Sequence, residues 1–97
     1  MGWADNAIKK LESGESVTIN PTGNSMSPKI KSGATVTVSP VNTEDIEVGD
    51  VVLCRVKGRQ YLHFVQEINE GRFLIRNNRG HTNGWTGVIY GKVTKIE

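Results

Sequence analysis

The chain has 97 residues, 36% of them hydrophobic, and its 12 basic against 10 acidic side chains leave a net charge of +2. That length makes one small domain with a modest core, and mixed charge without a Lys/Arg block argues against nucleic acid as a partner. No apolar run approaches the roughly 18–20 residues of a membrane-crossing helix, the start lacks the features of a secretory signal, and the lone cysteine excludes an intrachain disulfide or multi-cysteine zinc site. The expectation is a soluble, cytoplasmic protein.

Residues 1–15 predict a short helix. Ala4, Ala7, Ile8 and Leu11 lie at the i, i+3, i+4, i+7 spacing of one helix face. Asp5 near the start and Lys9 and Lys10 near the end suit the helix dipole, and Gly14 is a credible stop. Residues 16–97 then read as a β domain. Val17 and Ile19 alternate with Ser16, Thr18 and Asn20, the period of a strand. It enters the bend Gly23-Asn24-Ser25-Met26-Ser27-Pro28, with Met26 and Ile30 as candidate core anchors. A second strand spans residues 35–39, and residues 40–47 form a polar, acidic connection. Gly49-Asp50 signals a turn into the apolar strand at 51–56, where Cys54 reads as a buried structural thiol. Lys57-Gly58-Arg59 turns into a strand at 60–68, and Asn69-Glu70-Gly71 into one at 72–76. Residues 77–86 read as an Asn- and Gly-rich loop, and residues 88–96 as a last strand broken at Gly91. The fold class is all-β with one short N-terminal helix, a small twisted or barrel-like domain.

Two readings attach to the bend. Pro28 pushes Ser27 towards an extended conformation and Gly23 permits a close backbone approach, so Ser25 is either part of a polar turn or a displayed nucleophile. A serine needs a base to take its proton. The chain offers two histidines, His63 and His81, and seven lysines. An imidazole is mostly neutral at pH 7, whereas a lysine must be buried before it serves. Lys57 sits in a hydrophilic turn, but His63 lies within Tyr61-Leu62-His63-Phe64-Val65. If Tyr61 and His63 share one face, Leu62 and Phe64 take the other. His63 is then either a base for Ser25 or an ordinary residue on a solvated face. His81 lies in the late loop as a candidate to orient or replace His63. Two histidines without Cys or acidic neighbours make no metal site, and no cofactor is called for.

At these residues the chain resembles a known superfamily. Gly23-x-Ser25-Met26-x-Pro28 is similar to the serine motif of signal peptidases and LexA-type self-cleaving repressors. Lys31-Ser32-Gly33-Ala34 with Val36-Thr37-Val38, then Val48-Gly49-Asp50-Val51-Val52, Leu62-His63-Phe64-Val65 and Gly91-Lys92-Val93, follow in the superfamily's order. The resemblance covers about residues 16–96. It implies a LexA/signal-peptidase-like twisted β domain, with Ser25 as nucleophile and His63 as general base. Bacterial signal peptidases and repressors use a lysine base, so His63 is similar to the histidine-base branch. The resemblance also implies an oxyanion hole built on backbone N–H groups at Ser25 and Met26, and an extended peptide substrate added to a sheet edge. The chain departs from the pattern at Gly33-Ala34, at Phe64 after the base, and in a late loop with no acidic residue to orient the histidine. His81, Asn78 and Asn83 are the candidates for that role. No Ala-Gly pair occurs, so self-cleavage of the repressor kind is not expected.

The expected function is therefore a soluble serine peptidase cleaving an extended peptide with a Ser-His dyad. The alternative is a degenerate member that binds a protein partner, with Trp3, Trp85 and Tyr90 as candidate anchors or as parts of the domain's own core. A barrel for single-stranded nucleic acid is a distant third.

Overall fold

The computed structural model describes residues 4–21, 30 and 33–97. The bend that carries Ser25 and Met26 lies outside the described residues. The elements run α1 (Asp5–Glu12), β1 (Val17–Ile19), β2 (Val36–Ser39), a short 3-10 turn (Thr43–Asp45), β3 (Val51–Val56), β4 (Arg59–Asn69), β5 (Arg72–Arg76), β6 (Thr82–Thr86) and β7 (Val88–Ile96). Among the described residues the strands make one seven-stranded sheet in the order β1-β2-β7-β3-β4-β5-β6, with every pairing antiparallel. The fold is all-β with one short helix.

The apolar runs of β3 and β4 bury both their faces, which splits the core in two. On one side Val51, Leu53, Leu62 and Phe64 meet Val36, Val38 and Ile30, under Ala4, Ala7 and Leu11 from the start of the chain and α1. On the other side Val52, Cys54, Val56 and Val65 meet Phe73, Ile75 and Ile46. The helix spacing read from the sequence is thus the face α1 buries, and an eight-residue helix needs that packing to persist.

Two expectations change. Residues 82–86 are a strand rather than loop, because Trp85 and Thr86 pair with Leu74 and Phe73 of β5 despite the poor strand propensities of Asn83 and Gly84. Beyond that pairing, β6 returns to β3, where the buried Thr86 hydroxyl donates to the Arg55 carbonyl and accepts from the Val88 amide at 3.0 Å. Nor does Gly91 break β7. Leu53 pairs with Gly91 and Cys54 with Ile89, so the strand continues through an extra residue, Tyr90, in a bulge. Glycine is needed at 91 because a Cβ there would lie 2.7 Å from the Ser39 carbonyl oxygen and 2.8 Å from Val38 Cγ1.

The Gly49-Asp50 turn is built as its sequence implies. Gly49 takes φ +96°, a conformation that favours glycine. The Asp50 carboxylate accepts from the Glu47 amide at 2.8 Å and pairs with Lys92 of β7 at 3.2 Å. Reciprocal bonds of this turn with Val65, both 2.9 Å, fix the register of β3 on β4.

Candidate active site

His63 stands opposite Val52 in the β3–β4 ladder. Alternation sends Leu62 and Phe64 into the helix-side core and leaves Tyr61, His63 and Val65 on the other face. His63 is buried, 7% exposed, which rules out the solvated-face alternative. The Tyr61 ring stacks on the imidazole, with centroids 5.0 Å apart and planes at 27°. The Asn83 side-chain oxygen lies 2.8 Å from His63 Nδ1.

That contact decides what the imidazole can do. An amide oxygen only accepts, so Nδ1 carries the proton and the basic lone pair is on Nε2. Burial lowers the His63 pKa from its ordinary value, the Asn83 bond opposes that, and the nearby charge of His81 adds to the lowering. The ring is consequently neutral at pH 7 and able to take a proton. The arrangement suits a general base.

The β5–β6 turn delivers Asn83. Its organiser is Asn77, whose side-chain oxygen accepts from the amides of Arg79 and His81, both at 2.9 Å, while its own amide donates to the His81 carbonyl at 2.9 Å. Asparagine folds its side chain onto following amides in this way, a signal present in the Asn77-Asn78-Arg79-Gly80 sequence. Of the three orienting candidates, Asn83 makes the hydrogen bond to the ring. His81 is exposed and couples to it through charge, and Asn78 is half-buried in the same turn. Ser25 and Met26 lie outside the described residues. Across the chain, Cys54 is buried with its thiol pKa pushed up to about 12, which leaves it inert as a nucleophile. Among the described residues, no group of three or more His, Cys, Asp or Glu is placed to hold a metal ion, and no helix is long and apolar enough to cross a membrane.

A family model described as Peptidase S24-like matches residues 4–84. The chain belongs to the peptidase S24-like family. The matched segment includes Ser25, the Gly49-Asp50 turn, His63 and Asn83, and it supports a serine-peptidase-like architecture of the LexA/signal-peptidase superfamily. No curated protein and no solved structure shows a significant match.

Proposed function

We propose that this S24-like protein is a cytoplasmic serine peptidase that cleaves an extended peptide with Ser25 as nucleophile and His63 as base. The observation that carries the reading is the buried, neutral imidazole with Nδ1 held by Asn83. In this mechanism His63 Nε2 takes the Ser25 hydroxyl proton as the oxygen attacks the scissile carbonyl carbon. Backbone N–H groups at Ser25 and Met26 stabilise the oxyanion. The tetrahedral species collapses as the imidazolium returns its proton to the leaving amine. Water, deprotonated by the same nitrogen, then releases the acyl group. The neutral Asn83 orients the ring without a carboxylate, as in Cys-His-Asn sites.

The ends of the serine segment support this reading. The Pro21 carbonyl accepts from the Gly33 amide at 2.9 Å, and Ile30 is buried in the cluster that includes Leu62 and Phe64 of the His63 strand. The described residues on either side of the Ser25 segment are each fixed in the domain, Pro21 by a backbone bond and Ile30 by core packing. The test is labelling of the purified protein with a fluorophosphonate between pH 6 and 9. Labelling should require both Ser25 and His63, and be lost in Ser25→Ala and His63→Gln. An intact protein that never labels refutes the peptidase reading.

A second reading rests on the exposed Trp85 and Val88, 41% and 44% accessible, beside the β6–β7 turn. It makes the chain a protein-binding regulator that kept the fold. Partner capture that survives Ser25→Ala but is lost in Trp85→Ala would favour it.

A further inference from the structure

Strict alternation along β6 would point Asn83 the wrong way. Trp85 lies on the outer, exposed side of β6, and a residue two positions away on a regular strand shares its face. The ladder is not regular here. Ile75 pairs with Gly84 but Arg76 pairs with Thr82, so Asn83 is the extra residue of a bulge. Bulges re-aim side chains, and this one turns the Asn83 amide inward to His63.

The bulge depends on its neighbour. Gly84 has φ +132°, a conformation that side chains rarely adopt. A Cβ there would also stand 3.4 Å from both Val56 Cγ1 and Lys57 Cε. A second bulge faces the first across β5. Val65 pairs with Ile75 and Glu67 with Leu74, which makes Gln66 the extra residue of β4. The Thr82 hydroxyl donates to Gln66 Oε1 at 3.4 Å, tying the two irregularities together.

Building on the dyad proposed above, we infer that the Asn83–Gly84 bulge is a positioning device, in which Gly84 aims the Asn83 amide and thereby sets the tautomer and orientation of His63. Gly84 is a positioning residue; it acts on the ring only through Asn83. A regular strand would turn the amide out and leave Nδ1 without this acceptor.

The test is long-range ¹H–¹⁵N NMR of the imidazole nitrogens in the full chain near pH 8, with His63 assigned against His81→Gln. The native ring should show the Nδ1–H form. In Gly84→Ala that form should give way to Nε2–H or a mixture, and fluorophosphonate labelling should fall at least tenfold, with amide dispersion kept. Asn83→Ala leaves the backbone bulge in place and should shift the ring in the same way. A folded Gly84→Ala protein with native ring nitrogens overturns the inference. If Gly84→Ala does not fold, Asn83→Ala decides, and a native tautomer there overturns it too. If the ring nitrogens respond as expected but native protein never labels, the positioning device stands and the peptidase reading falls.

Discussion

Replacing Asn83 with aspartate exchanges a neutral acceptor for a charged one of nearly the same shape, 2.8 Å from His63 Nδ1. In the native protein burial holds the His63 pKa down and the Asn83 bond is too weak to offset it. An opposite charge within about 4–6 Å favours the charged form and moves a pKa by about 1–3 units. His63 is 7% exposed, so water screens the new pair poorly. The His63 pKa should therefore rise by about 1–3 units in Asn83→Asp, a differential stabilisation of the imidazolium of roughly 1.4–4 kcal/mol. An NMR titration of the His63 Cε1 proton reads this directly. The ring of the variant should carry charge at pH values where the native ring is neutral, and any rise of fluorophosphonate labelling with pH should shift upward by the same amount. A His63 pKa that stays put or falls in Asn83→Asp would refute the view that this contact controls the imidazole.

The remaining predictions concern stability and reactivity. The His63 pKa is lower in the fold than the ordinary value of about 6.5, so the unfolded chain binds the extra proton. The resulting stability is complete above about pH 6.5 and is lost as pH falls through the folded value; urea midpoints should drop on acidification, and His63→Gln should flatten that slope. Gly91→Ala should cost about 1–3 kcal/mol by overpacking against Ser39, Val38 and Leu11, lowering the melting temperature by several degrees. A native-like melting curve would contradict the close approach. Cys54, with its thiol pKa near 12, should resist a disulfide reagent at pH 8 and react at once in denaturant. Rapid modification of native protein would show that β3 opens readily.

Much of the fold was legible because its strongest signals were local. The spacing of Ala4, Ala7 and Leu11 marked the buried face of α1, and the apolar run at 51–56 marked β3, which the fold then covers on both sides. The turns at Gly49, Gly58 and Gly71 fell where glycine adopts positive φ. The failures were irregularities set by pairing. Gly91 reads as a strand breaker until the helix and β2 that crowd it are known. Residues 82–86 read as loop because two poor strand formers, Asn83 and Gly84, stand there to make a bulge. At the site, the alternation of Tyr61 and His63 against Leu62 and Phe64 was legible from a period of two. The choice of Asn83 among three late-loop candidates was not, because that depends on which side of β6 a displaced register presents.

β7 lies between β2 and β3 in the sheet, although it is the last strand along the chain. Its pairing with β2 runs from Val36 and Ile96 to Ser39 and Lys92, and Thr35 and Glu97 add two further backbone bonds at 2.8 and 3.2 Å. The hairpins of β3 to β6 can zip up without β7, but β1 and β2 have no backbone ladder to the rest of the sheet until it is added. Any product terminated before β7 would hold two unsewn halves. The seam strand is thus a checkpoint on assembly, and the dyad proposed from Ser25, between β1 and β2 in sequence, and His63 of β4 would stay silent until β7 is in place.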